Sequence, residues 1–87
     1  MRRRGWGTII REILEVTLTP QKKMRIMYKT NLSYASFNNY FSFCLKKGFI
    51  EKTRDSEGNV CYSISQRGRT LLAVLNKAQE LVSTEEL

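Results

Sequence analysis

Apolar side chains recur along this chain at helical spacing in four places. Ile9, Ile10, Ile13 and Leu14 form the first stripe, with Arg11, Glu12 and Glu15 turned outward. This predicts a helix capped by Thr8, after a start in which RRRGWG reads as a basic arm with glycine hinges. Thr17 to Thr19 is a β-branched break, and Pro20 suits the first position of a second helix. That helix runs to about Lys29, with Met24, Met27 and Tyr28 on one face and Ile26 near its edge. Asn31 and Leu32 make a short turn, and Ser33 is a good N-cap for a third helix. On it Phe37, Tyr40, Phe41, Cys44 and Leu45 follow i, i+3, i+4, i+7, i+8 and predict one buried stripe. Lys46 and Lys47 suit the last turn of that helix, and Gly48 ends it.

FIEKTR and VCYSI are then short strand-like runs around DSEGN, where Glu57, Gly58 and Asn59 supply turn chemistry. They predict a β-hairpin. Ser65 caps a last helix from about Gln66 to Ser83. Its Leu71, Leu75, Ala78 and Val82 alternate steps of four, three and four, like the a and d positions of a heptad, and Leu72 and Leu81 widen the stripe. Helix, helix, helix, hairpin, helix is an α+β chain, mostly α. The order is that of a winged helix-turn-helix with a two-stranded β wing and a C-terminal dimerisation helix. Residues 1–7 form the basic N-terminal arm, 8–65 the winged helix-turn-helix domain, and 66–87 the C-terminal helix and dimer seam.

Three pieces in the right order carry a resemblance. IMYKTNLSY at 26–34, LKKGFIEK at 45–52 and YSISQRG at 62–68 resemble the small archaeal winged helix-turn-helix DNA-binding proteins. That family includes transcription regulators and coiled-coil-dimer chromatin proteins, and the likeness spans roughly residues 8 to 82. The resemblance implies double-stranded DNA binding and a homodimer through the last helix. The chain departs from the family's pattern at the wing tip, where Asp55 and Glu57 stand in place of bases, and in the first turns of the third helix, which lack Arg and Lys.

Charge changes the picture next. Fifteen Lys and Arg against eight Asp and Glu leave a net charge of +7, so nucleic acid is the leading partner. Residues 1–29 hold +6 of this, and the last twelve residues are net acidic. The most aromatic stretch, NLSYASFNNYFSFCL, is also the longest without a charge. Its aromatic face reads as core. Its other face carries small neutral groups where a solvated helix is normally rich in Glu and Lys. Asn pairs with adenine edges, and Ser and Tyr bond to bases or phosphates. Ser33, Tyr34, Ser36, Asn38 and Asn39 are therefore the candidate base contacts, with the third helix in the major groove. Lys22, Lys23, Arg25, Lys29, Lys46, Lys47, Lys52 and Arg54 are the candidate phosphate contacts. Arg2, Arg3 and Arg4 are an arm able to reach a minor groove or phosphates, and Trp6 reads as packed on the domain. Leu71, Leu75, Ala78 and Val82 are the candidate dimer interface.

Other chemistries find little footing. The chain has no histidine, and Cys44 and Cys61 lack metal-ligand spacing, so neither a zinc site nor another cofactor is expected. Nothing in the sequence supports catalysis. No apolar run approaches a membrane span, and two separate thiols suit a cytoplasmic protein, with nucleoid association expected from the DNA-binding reading. Two rival roles use the same fold: a protein-interaction module in a transcription or replication assembly, and RNA binding.

Overall fold

The computed structural model describes residues 4–85, with side chains as far as Val82. The elements are α1 (Trp6–Val16), α2 (Lys23–Thr30), α3 (Tyr34–Lys46), β1 (Ile50–Arg54), β2 (Val60–Ile64) and α4 (Gln66–Glu85). Their order is the one expected, and three helices with a following hairpin make a winged-helix arrangement.

Ile9, Ile10, Ile13 and Leu14 of α1 are all buried. They meet Ile26 of α2, Phe37, Phe41 and Cys44 of α3, Ile50 and Ile64 of the hairpin, and Leu72 of α4. Burying each large side chain contributes roughly 1.5–3 kcal/mol before ordering costs. Phe37 stacks on Phe41 at 5.2 Å, and Tyr62 meets Phe41 edge-on at 4.8 Å. Tyr62 thereby joins the hairpin to the helical core.

Several local expectations shift. Gly5, not Thr8, is the N-cap of α1, and the helix begins at Trp6. Pro20 does not open α2. The next residue, Gln21, pairs with Tyr62 instead: each backbone N–H donates to the other's carbonyl, at 2.9 and 2.8 Å. Only after this bridge does α2 begin, at Lys23. The inward face of α2 is also rotated from the one expected. Ile26 and Thr30 are buried, whereas Met24 and Tyr28 are exposed. Thr30 tolerates burial because its hydroxyl donates back to the Ile26 carbonyl at 2.9 Å. A helix of two turns has room for only a narrow inward face, and here a β-branched pair fills it. Leu45 is exposed as well, against expectation. It lies roughly 80° round the helix from Phe37 and at the far end, beyond the reach of the core.

Thr17 ends α1 in the same way that Thr30 ends α2. Its hydroxyl donates to the Ile13 carbonyl at 2.9 Å, and its own carbonyl accepts from Ile64 N–H at 2.8 Å. Gly48, at φ +77°, reverses the chain after α3. The hairpin is antiparallel, pairing Ile50 with Ile64 and Arg54 with Val60. Ser65 then serves both sides of its joint. Its Oγ donates to the Gly48 carbonyl at 2.5 Å and accepts from Gly68 N–H at 3.0 Å. Gly68 sits so close to β1 that a Cβ there would run into the Phe49 carbonyl oxygen.

Candidate nucleic-acid interface

Ser33 caps α3 as expected, accepting from Ser36 N–H at 3.3 Å. Phe37, Phe41 and Cys44 then define the inward direction. At 100° per residue, the direction opposite to them runs through Ala35, Asn39, Ser42 and Lys46, and all four are exposed. Asn39 therefore lies at the centre of the outward face. Ser36 is exposed on one flank, and Asn38 is half-buried on the other. Tyr34 projects from the first turn, on the side nearer Asn38. The five candidate base contacts thus spread over more than one line of the helix, and the Ser33 hydroxyl, which accepts as a cap, keeps its O–H to donate. Ala35 and Ser42 complete the outward line and were not among the candidate base contacts. Their signal was available: they sit at i−4 and i+3 from Asn39, the complement of the aromatic stripe.

Asn39 has apolar company on one side. With Trp6 and Ile10 of α1 and Tyr40 and Phe43 of α3 it lines an open slot of about 430 Å³. Trp6 is largely exposed here and not packed into the domain as expected.

The cations separate into committed and uncommitted groups. Lys23 Nζ lies 5.1 Å above the Phe41 ring, a cation–π contact that draws it inward. Arg54 folds over the wing and donates to the Gly58 carbonyl at 2.8 Å. Lys22, Arg25, Lys29, Lys46, Lys47 and Lys52 are exposed. Lys22 and Arg25 line a shallow depression with Pro20, Gln21, Asp55 and Cys61, so the start of α2 and the root of the wing adjoin. From Val16 to Ile50 the chain has six cations and no acid.

Asp55 organises the wing. Its carboxylate accepts from Asn59 N–H at 2.8 Å, Glu57 N–H at 2.9 Å and the Asn59 side-chain amide at 3.2 Å. The Asn59 N–H bond above all, with the Asn59 amide, the Glu57 N–H and the charge of Lys22, holds its pKa below the usual carboxylate value. The turn closes at Gly58, whose φ of +86° suits glycine. One of the two acids that stand where the family has bases is thus the group that gives the wing its shape.

Arg2 and Arg3 of the expected arm lie outside the described residues. Arg4 is turned back onto the protein, paired with Glu12 and bonded to the carbonyls of Thr30 and Asn31. Cys44 and Cys61 are buried free thiols. Burial pushes the Cys44 thiol up to about 12, which leaves it unreactive at neutral pH.

On α4, Leu72 is buried, and Leu71 and Leu75 pack half-buried against the chain's own core. Ala78 and Val82 are exposed. Val74 and Leu81 are 58% and 56% exposed and lie on the same side as Ala78. The uncovered apolar line is therefore Val74, Ala78, Leu81 and Val82, rotated from the heptad read in the sequence. Among the described residues no helix is long and apolar enough to cross a membrane.

Known proteins share this arrangement. An uncharacterized protein of Methanocaldococcus jannaschii is 33% identical over 75 residues, which cover 85% of this chain and 33% of that protein. The chain thus spans about one third of that relative's length. Sso10a-2, a DNA-binding protein from Sulfolobus solfataricus, superposes with a TM-score of 0.76 at 21% identity, covering 95% of this chain and 90% of that one. The transcriptional regulator BldR from the same organism gives 0.78 at 21% identity, covering 91% and 59%. Residues 3–83 match the family described as winged helix-turn-helix. The chain belongs to the winged helix-turn-helix family.

Proposed function

We propose that this protein binds double-stranded DNA as a transcription regulator or chromatin component, with α3 in the major groove. The observation that carries the reading is the face of Ala35, Asn39 and Ser42, uncharged and exposed, on a segment with six cations and no acid. A duplex rewards such a surface twice. Phosphates attract the flanking cations, and base edges accept small neutral donors without electrostatic penalty. Asn39 reads base edges, Ala35 meets thymine methyls, and Ser36, Asn38 and Tyr34 contact the groove walls. Lys22, Arg25, Lys29, Lys46, Lys47 and Lys52 hold phosphates. Lys23 and Arg54 contribute less, because Phe41 and the wing turn already occupy them. The DNA-binding and regulatory roles named for Sso10a-2 and BldR support the reading, which places the protein with the DNA in the cytoplasm.

The binding species in this reading is a homodimer, paired through Val74, Ala78, Leu81 and Val82. Two copies would offer two α3 helices to half-sites about one helical turn, or a multiple of it, apart.

A salt titration against random duplex, single strands and double-stranded RNA tests the reading. With about five phosphates engaged, log K should fall against log salt with a slope near −4 to −5. Lys47→Ala should weaken all sequences alike, whereas Asn39→Ala should change preference among sequences. Equal, sequence-independent effects of the two would remove the division of labour. The exposed Met24–Tyr28 pair on α2 favours a second reading, a protein-interaction module. That reading predicts no duplex binding at moderate salt.

A further inference from the structure

Arg4 is basic, precedes the first helix and belongs by sequence to the expected arm, yet its guanidinium faces inward. It pairs with Glu12 on α1. It also donates to the carbonyl of Thr30 at 2.8 Å and, through its second terminal nitrogen, to that of Asn31 at 3.3 Å. Those two carbonyls are where α2 ends. A helix C-terminus leaves acceptors without partners and carries partial negative charge, so a cation there is favourable on both counts. Asn31 is also the one residue other than glycine in the described chain with positive φ, at 54°. It is the point where the chain turns from α2 toward Ser33 and α3.

We propose that Arg4 is a positioning residue for α3: one guanidinium ties α1, through Glu12, to the exit of α2, and so sets the angle at which α3 leaves the turn. Three things support this. The contacts are long-range, 26 and 27 residues apart in sequence. The planar fork of arginine holds its terminal nitrogens in a fixed, preorganised spread that spans Glu12 and the two carbonyls, whereas a lysine ammonium offers its three donors from a single point on a flexible stem. The turn it holds is short: Asn31, Leu32 and Ser33 alone separate α2 from α3, so a shift at Asn31 passes directly to Ser33 and Tyr34. The role is opposite to that of a flexible arm, in which Arg4 would leave the protein and meet phosphate.

The effect on DNA rests on the function proposed above, but the clamp itself does not. Two measurements on Arg4→Ala and Arg4→Lys separate them. The first is amide exchange of the free protein at Asn31 and Phe37, on either side of the turn. Both variants should exchange about tenfold faster there, the scale of one lost charged hydrogen bond, while Ile13 in α1 stays protected. The second is duplex affinity across a salt series. Both variants should lose about tenfold in affinity with the parent's salt slope unchanged. Lysine keeping full affinity, with alanine flattening the slope by about one unit, would make Arg4 a phosphate contact and overturn the proposal. Unchanged exchange at the turn in both variants would overturn it too. A parent protein that ignores duplex would remove the DNA reading, and the exchange data alone would then uphold or overturn the clamp.

Discussion

Phe37 and Phe41 on α3 are sealed against α1 and the hairpin, whereas Val74 and Leu81 on α4 remain more than half exposed. Both helices repeat apolar residues at helical spacing, so the pattern alone does not explain the difference. The cause is what lies opposite. α3 meets α1 and the hairpin all along its inward side. α4 leaves the core early. Gly7, in the first turn of α1, already lies against Leu75. Past that point α1 offers only a shallow groove between Gly7, Thr8, Arg11 and the α4 residues Ala78 and Val82. A helical stripe therefore reports amphipathicity, and the length of the neighbouring element decides how much of it is covered.

The sharpest way to break this contrast is to remove a large group from each helix. Phe37→Ala should lower stability by about 3–5 kcal/mol, enough to unfold much of so small a domain, seen as a collapsed denaturant midpoint. A loss below about 1 kcal/mol would mean that Phe37 is not sealed in the core. Gly68→Ala probes the packed end of α4. Its Cβ must push β1 away at Phe49, and a loss of about 1–3 kcal/mol is expected in the same measurement. The bare end should behave differently. Val74→Glu should change the stability of the isolated chain by less than about 0.5 kcal/mol. It should nonetheless abolish association in sedimentation at micromolar concentration, and with it any dependence of Tm on protein concentration. A parent that sediments as a monomer would show that α4's bare line serves something other than pairing.

The smallest effect belongs to the wing, whose order rests on a solvent-facing carboxylate and not on burial. The Asp55 pKa is lowered in the folded protein. Its contribution is therefore present above the ordinary carboxylate pKa and is lost as pH falls through the depressed value. Amide exchange at Glu57 and Asn59 should accelerate on acidification, relative to the intrinsic rate, while α3 amides stay protected. Asp55→Ala should show the fast exchange already at neutral pH.

Much of the site's framework was legible because it is local. Ser33 and Ser65 cap within three residues of themselves, Gly48 ends its own helix, and Gly58 turns its own hairpin. The site residues were harder. Ser33 is both cap and candidate base contact: its hydroxyl accepts from the Ser36 N–H and keeps its O–H to donate. Ser42 and Ala35 were passed over as base contacts although the aromatic stripe already fixed the outward direction, because a small neutral side chain carries little chemistry of its own to mark it. On α2, Ile26 and Thr30 outcompeted the larger Met24 and Tyr28 for the core, since depth of burial follows the neighbour's shape and not side-chain size.

By itself the sequence determined the number and order of elements, the aromatic spine of α3, the Ser33 and Ser65 caps, and the concentration of positive charge between Val16 and Ile50. All of these are set by interactions within a few residues or by composition. The tertiary structure alone decided that Gln21 pairs with Tyr62, that Arg4 turns inward to the end of α2, and that α4 keeps an uncovered line of Val74, Ala78, Leu81 and Val82. Those outcomes join segments tens of residues apart or depend on where a neighbouring helix stops. Side-chain periodicity has no information about either.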